Sequence, residues 1–375
     1  MGNLIGIVAE YNPFHAGHAY QIRRAREIAG EESTVIAVMS GDFVQRGSWA
    51  IQPKAFRARA ACEGGADAVF ELPLPWCMAS AQRFARAGVG MLVSLGITHL
   101  SFGSESGDLS RLSSAAERIS APGFEEEVSA LMRMKPNLTY PRARAAVLGD
   151  LAVSAPNDML AVEYLAALKG TNVVPLPVVR VGSGHDEARE SLYPSASELR
   201  QRILSGILPA PHPDGEKMEI ACLSRLRMLR REDFLTLPDC ADGLGERIYD
   251  AVRACSSLEA VYDTAKTRRY THSRVRRAVL SAVLGIQAGQ VEADVPYARL
   301  LAMNDAGRRF LSRMRDRGSL PVLTLPKQAA RFGEAAEKVF SLGASAHDFY
   351  LLSYPDGRDM RCGQDYRQGP ILVQN

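Results

Sequence analysis

Lysine is scarce in this 375-residue sequence: seven of the 45 basic residues are Lys and 38 are Arg. Cysteine is sparse and scattered. The six, Cys62, Cys77, Cys222, Cys240, Cys255 and Cys362, include no Cys-x-x-Cys pair. That spacing fits neither a disulfide framework nor a structural zinc site and predicts reduced core thiols. No apolar run approaches the roughly 20 residues that cross a bilayer; the longest, 88–97, reads as a buried helix end. The opening Met1-Gly2-Asn3-Leu4 has neither a basic leader nor a small-residue cleavage site, so no signal peptide is expected. Internal repeats and low-complexity tracts are lacking too. Together these absences predict a soluble, cytoplasmic protein with no membrane partner.

What is present is ordinary globular material, 46% hydrophobic and 23% charged. At about 150 residues per domain the length suggests two or three domains. The net charge of +3 points to no partner, but the chain is uneven: −1 up to residue 213 and +4 beyond it. Arginine grips phosphate with a fixed two-pronged donor set and stacks on flat rings. The basic second part therefore permits a nucleic-acid role without establishing one.

Five short aliphatic runs, 4–9, 34–39, 67–72, 98–102 and 173–179, alternate with helical spacing over 19–29, 54–63, 81–95 and 158–168. This alternation predicts right-handed βαβ units and an α/β fold, with a Rossmann-like parallel sheet over residues 1–210. Ligands of such sheets lie outside the carboxyl ends of the strands. Pro209-Ala210-Pro211-His212-Pro213-Asp214-Gly215 reads as an exposed connection. Beyond it, helical spacing over 223–231, 245–254, 273–284 and 306–315 predicts a mainly helical, Arg-rich region, 216–375. In its closing stretch, 350–352 and 369–373 read as strand or extended arm.

The first strand leads into Tyr11-Asn12-Pro13-Phe14-His15-Ala16-Gly17-His18 and then a helix. A helix N-terminus offers unpaired N–H groups and a positive dipole end, which favour phosphate. Gly17 lets backbone approach closely, and two flanking imidazoles can donate to charge building at phosphorus. A capping turn is the plain alternative, but the position after the first strand favours nucleotide chemistry. Zinc is discounted because no third ligand with suitable spacing follows.

This segment resembles the HxGH nucleotidylyltransferase superfamily. Gly6 to His18, with Ser40-Gly41-Asp42-Phe43-Val44-Gln45-Arg46-Gly47, Glu71-Leu72-Pro73, Phe102-Gly103-Ser104-Glu105 and Ser154-Ala155-Pro156-Asn157-Asp158, is similar to the tRNA(Met) cytidine acetate ligase family. The resemblance implies an enzyme that joins ATP and acetate into acetyl-adenylate, releasing pyrophosphate. The acetyl group then passes to N4 of the wobble cytidine of elongator tRNA(Met). It implies an ATP site lined by Ile7, Val8, Ala9, Glu10, Tyr11, Asn12, Pro13, Phe14, His15, Ala16, Gly17, His18, Ala19 and Tyr20, completed by Gly103, Asn157, Arg180 and Val181. It also implies a catalytic, phosphate-stabilising role for His15 and His18.

Ser195-Ala196-Ser197-Glu198-Leu199-Arg200 is similar to the superfamily's second phosphate signature, which brings Ser195 and Ser197 to the triphosphate; Ser195 with Glu198 also fits a capping box. Mg²⁺ is expected with the triphosphate, and Asp42 is a candidate metal or ribose contact. No protein-held metal site is assigned. Two places depart from the family pattern. Ser48-Trp49 stands where an acidic residue and proline are usual, and Gly184 where tyrosine usually precedes His185-Asp186. Both bear on substrate placement.

Residues 266–277 hold six cations and no acid. Arg268, Arg269, Tyr270, Arg274, Arg276 and Arg277 are the candidate RNA-binding set, because phosphates want charge and unstacked bases want flat partners. Arg308, Arg309, Arg313, Arg315 and Arg317 form a second cluster. A small-molecule nucleotidylyltransferase and a non-catalytic RNA-binding protein are the rival readings.

Overall fold

The computed structural model describes residues 2–135, 137–180, 194–240, 243–314, 319–354 and 360–374. Val181, Gly184, His185, Asp186, Arg315 and Arg317 lie outside these.

Strands β1 (Leu4–Ala9), β2 (Thr34–Ser40), β5 (Ala68–Leu72), β6 (His99–Ser104) and β7 (Val174–Val179) form the parallel part of one sheet, in the order β5-β2-β1-β6-β7. Runs such as Thr34–Ser40 are buried almost throughout, as strands covered on both faces must be. The short strands β3 (Phe43–Val44) and β4 (Ser48–Trp49) make an antiparallel hairpin off the end of β2.

Helices α1 (Ala16–Ala29) and α2 (Lys54–Glu63) cover one face, where Ile5, Ile7, Ile22, Val35 and Ala61 share a core. The other face, with Val8, Val38, Phe70 and Phe102, takes α3 (Ala81–Ser94), α4 (Leu109–Ile119) and α7 (Pro156–Ala167). Between α4 and α7 stand α5 (Phe124–Met134) and α6 (Tyr140–Leu148), a hairpin with its own small core of Phe124, Val128 and Ala143. The expected α/β architecture with a parallel sheet is what the chain adopts.

After β7 comes α8 (Ala196–Leu204), then α9 (Gly215–Met228), α10 (Arg231–Leu235), α11 (Leu244–Ala254), α12 (Leu258–Ala265) and α13 (His272–Leu284). Leu226, Val252 and Val279 of this group lie in the same apolar cluster as Phe70 and Val89 of the sheet layer.

The chain then returns to the sheet, which the sequence did not signal. β8 (Ala298–Met303) pairs antiparallel with β5, and β9 (Val322–Leu323) and β10 (Ile371–Leu372) flank β8. β8 reads Ala-Arg-Leu-Leu-Ala-Met, which has no period-2 alternation to mark it. Helices α14 (Asp305–Met314) and α15 (Glu334–Leu351) complete the fold. Residues 350–352, read as strand or arm, are instead the end of α15, where Tyr350 and Leu351 are buried; 369–373 does contain a strand. All six cysteines are free, and burial lifts the Cys62 thiol to about 12. Among the described residues no single helix is long and apolar enough to cross a membrane.

A buried ionic cluster ties the returning chain to the first strands. Lys54 Nζ lies 3.0 Å from Glu71, 2.5 Å from Asp365 and 3.6 Å from Asp42. Arg299 of β8 contacts Glu71 at 3.0 Å and Asp365 at 2.8 Å, and His347 Nδ1 lies 2.7 Å from Asp42 Oδ2. Three carboxylates thus face Lys54, Arg299 and His347, so the cluster is neutral when His347 is protonated. Burial alone would lower the His347 pKa, but Asp42 and Asp365 outweigh it and the net direction is up. Asp42 is therefore committed to the protein interior and is not a metal or ribose contact: its other oxygen caps α2 through Lys54 N at 2.9 Å.

Removing one partner of a buried pair leaves a charge uncompensated, at about 3–5 kcal/mol. Lys54→Met should lower unfolding free energy by that amount in urea titrations. The raised His347 pKa stabilises the fold fully below the ordinary histidine range and is lost as pH rises through the folded-state value. The stability of His347→Gln should lack that alkaline decline.

Candidate active site

The sheet order reverses between β1 and β6, which leaves a crevice at their carboxyl ends. The His motif follows β1, and Gly103 lies in β6. The turn is strained: Tyr11 adopts φ +47°, an uncommon conformation for a bulky residue. Contacts from several elements hold it. Arg57 of α2, fully buried, donates to the Glu10 carbonyl at 2.6 Å, to Gln52 O at 2.9 Å, to Ser40 O at 3.1 Å and also to Gly41 O. Asn12 Oδ1 accepts from Ile51 N at 2.7 Å, and Asn12 O accepts from Arg200 of α8 at 2.7 Å.

His15 is the N-cap of α1. Its Nδ1 accepts from Gly17 N at 3.0 Å, and its backbone N donates to His18 Nδ1 at 3.3 Å. The rings stack with centroids 3.8 Å apart, and Tyr11 meets His18 edge-on at 4.8 Å. Because both Nδ1 atoms accept, each ring carries its proton on Nε2. Burial, helped by the charges of Arg180 and Arg200, lowers His15 to about 4. Burial, His15 and Arg180 lower His18 well below its ordinary value. The pair is therefore neutral at pH 7 and offers two Nε2–H donors beside a helix N-terminus and two guanidinium groups.

A Cβ on Gly17 would lie 2.9 Å from His15 Cε1, so the ring's position over the turn demands glycine. At Gly103 an added Cβ would meet only the Arg180 side chain, at an ordinary 3.6 Å from Cγ and 3.8 Å from Cδ; the protein itself does not require glycine there.

The remaining expected positions fall into three groups. Ile7 and Val8 point into the two opposite cores, so their side chains support the site rather than line it. Tyr11, Asn12 and Pro13 are buried beneath the turn, while Ala9, Glu10, Phe14, Ala19 and Tyr20 are half-buried around it and Ala16 is exposed. Glu10, raised by burial, accepts from Gln45 N at 2.8 Å. Asn157 is not the cap of α7: its Nδ2 donates to Glu105 at 2.6 Å, and the Glu105 carboxylate itself receives Asp158 N at 3.0 Å. Arg180 leaves β7 with its N–H on Ser104 O at 3.0 Å.

Ser195 caps α8 by accepting from Glu198 N at 3.1 Å, and Ser197 Oγ accepts from Arg200 at 2.9 Å. Sequence reasoning assigned no role to Arg200, Arg57 or Glu105. Arg200 and Glu105 stood inside quoted motifs, but nothing in the sequence marked Arg57.

The candidate RNA residues divide sharply. Arg274 donates to Asp239 O at 2.8 Å and lies over the buried Tyr270 ring; Arg276 faces Glu259; Arg277, largely buried, pairs with Asp239 at 3.3 Å. These four are engaged within the protein. Arg268 and Arg269 are exposed, as are Arg308, Arg309 and Arg313 on α14. The β3–β4 hairpin sits directly on this region: at Gly47 (φ +75°) a Cβ would lie 2.5 Å from Arg277 N. Ser48 and Trp49 are the hairpin's return strand, paired with Val44 and Phe43.

This site and fold define a nucleotidyl transferase: the chain belongs to the HIGH Nucleotidyl Transferase family, whose model it matches over residues 2–365. Within it, the chain is a member of the tRNA(Met) cytidine acetate ligase family. It is 35% identical to the tRNA(Met) cytidine acetate ligase of Syntrophotalea carbinolica over 96% of this chain and 93% of that one. It is 30% identical to that of Syntrophomonas wolfei over 98% and 99%. The crystal structure of Thermotoga maritima TmcAL bound with alpha-thio ATP superposes with a TM-score of 0.86 at 27% identity, covering 100% of both chains.

The tautomers and the low His15 pKa are directly measurable. Long-range ¹⁵N–¹H spectra should show His15 as the neutral Nε2–H form from pH 8 to 5, with protonation setting in near pH 4. The sign follows by linkage: the depressed value leaves stability intact above the ordinary histidine range and erodes it as pH falls towards 4.

Proposed function

We propose that the protein activates acetate with ATP and acetylates N4 of the wobble cytidine of elongator tRNA(Met), releasing AMP and pyrophosphate in the cytoplasm. The observation that carries this reading is the neutral His15–His18 pair at the N-terminus of α1, flanked by Arg180 and Arg200. In the first step an acetate oxygen attacks the α-phosphorus in line, a new P–O bond forms, and the bond to pyrophosphate breaks. Little covalent help is needed, so positioning and charge stabilisation dominate. The two Nε2–H groups donate to phosphate oxygens as charge builds. Neutral donors suit this role because they do not lose a proton to the leaving pyrophosphate.

Backbone of the 7–20 segment, Gly103, Asn157 with Glu105, Arg180 and Val181 would complete the nucleotide site. The N-terminus of α8, with Ser195 and Ser197, would meet the triphosphate. Among the described residues no three carboxylate, imidazole or thiol groups converge on a metal position. Among the described residues there is no three-ligand cage for Mg²⁺, so the ion would arrive bound to the triphosphate. In the second step the cytidine amine attacks the acyl carbon, and AMP departs with the former acetate oxygen.

A small-molecule nucleotidylyltransferase would have no use for the exposed Arg268, Arg269 and α14 arginines, and a passive RNA binder none for two aligned imidazole donors. Purified protein with ATP, labelled acetate and bulk tRNA should yield labelled acetylcytidine. ATP turnover without label in RNA would favour the small-molecule enzyme; salt-sensitive tRNA binding without turnover would favour the passive binder. His15→Ala should abolish acetate-dependent pyrophosphate release while leaving tRNA affinity within about twofold. Equal loss of both would refute the division of labour.

A further inference from the structure

Away from the nucleotide crevice, the α5–α6 hairpin and the start of α13 face one another across an open groove of about 740 Å³. One wall carries Asn137, Thr139 and Arg142; the other carries Lys266, Arg268 and His272. No carboxylate lines it among the described residues. Acids on the adjoining elements have partners of their own: Glu125 accepts from Tyr140 Oη at 2.9 Å, Glu127 pairs with Arg118 at 2.7 Å, and Glu259 of α12 faces Arg276.

The cations differ from their neighbours on α13. Arg274, Arg276 and Arg277 are held by carbonyl or carboxylate partners, whereas Arg142, Lys266 and Arg268 make no ion pair among the described residues and are exposed. Thr139 and Thr271 are the N-caps of α6 and α13, so two helices turn their positive ends towards the same groove. The His272 Nδ1 atom is buried and unpartnered.

We infer that this groove seats the sugar–phosphate backbone of the RNA substrate, with the β6–β7 insertion forming one wall and the Arg-rich segment the other. The inference rests on the proposed tRNA-acetylating function and deepens it. Uncommitted cations, helix N-termini and hydroxyl or amide donors without acids match a chain of phosphates, not a protein surface of mixed charge. The groove also leads towards the chemistry. From His272 to Arg277 α13 rises about 7.5 Å, and at Arg277 it meets the hairpin tip whose Gln45 holds Glu10 of the His motif.

The test is filter binding of a tRNA(Met) transcript between 50 and 200 mM salt. Neutralising a phosphate contributes roughly 0.7–0.9 to the logarithmic salt slope. The double variant Arg142→Glu/Lys266→Glu should therefore bind roughly tenfold more weakly and lose about two units of slope. Arg142→Gln should lose about one unit with little change in melting temperature, which guards against misfolding. Arg59→Glu, a reversal on the exposed face of α2, should leave affinity within about twofold. Undiminished binding by the groove variants, or an equal loss in Arg59→Glu, would overturn the groove while leaving the acetate ligase reading intact. Failure of the unmodified protein to bind any tRNA would overturn that reading, and the groove with it.

Discussion

A charge cannot be buried alone, and in this protein that constraint joins the two ends of the chain. Lys54 on α2 lies under 2% exposed among Asp42, Glu71 and Asp365, with Arg299 and His347 completing the set. Two of these groups follow or belong to the early strands β2 and β5, and three come from beyond residue 298. Desolvating six ionisable groups is costly, and only their mutual arrangement offsets it. The antiparallel seating of β8 on β5 and the docking of α15 are the arrangement that does so. The helical segments between them are thereby brought onto the sheet's outer layer, against the hairpin that follows β2.

A second buried cation does the corresponding work at the site. Arg57 satisfies carbonyls at the ends of β1 and β2, where the sheet's own hydrogen bonds have run out. The Glu10 carbonyl directly precedes Tyr11, and the other partners lie at the end of β2 and just before α2, so Arg57 ties the start of the strained turn to its neighbours. Above it the imidazoles are kept neutral by burial and by Arg180 and Arg200, while their Nδ1 atoms are used up in the cap of α1. A turn fixed by a guanidinium below and polarised by two above can hold donors in place without being cationic itself. Preorganisation of this kind is what an in-line displacement at phosphorus needs from a protein.

Much of this was legible in the chain. Aliphatic runs buried on both faces mark themselves by hydrophobicity alone, and the His motif announces itself because glycine and two imidazoles at a strand-to-helix junction have few other uses. Less legible were residues whose role depends on distant partners. Asp42 resembled a ligand contact in sequence, yet its oxygens go to Lys54 N and to His347, 305 residues away. Nothing in the sequence marked Arg299 as an interior charge. Nor did any local pattern show that Glu105 caps α7 or that Asn157 donates to it. The arginines of 266–277 formed a uniform basic run on paper; in the fold four positions, Tyr270, Arg274, Arg276 and Arg277, are engaged in internal contacts.

By itself the sequence determined the α/β class, the location of the nucleotide motif and the family to which the chain belongs, because these rest on local periodicity and on short contiguous patterns. Only the tertiary structure decided which charges are interior and which face solvent, how β8 re-enters the sheet, and that Arg142 stands across a groove from Lys266 and Arg268. The reason is physical: the state of an ionisable side chain depends on the dielectric and the counter-charges around it, and those are supplied by residues far away in sequence.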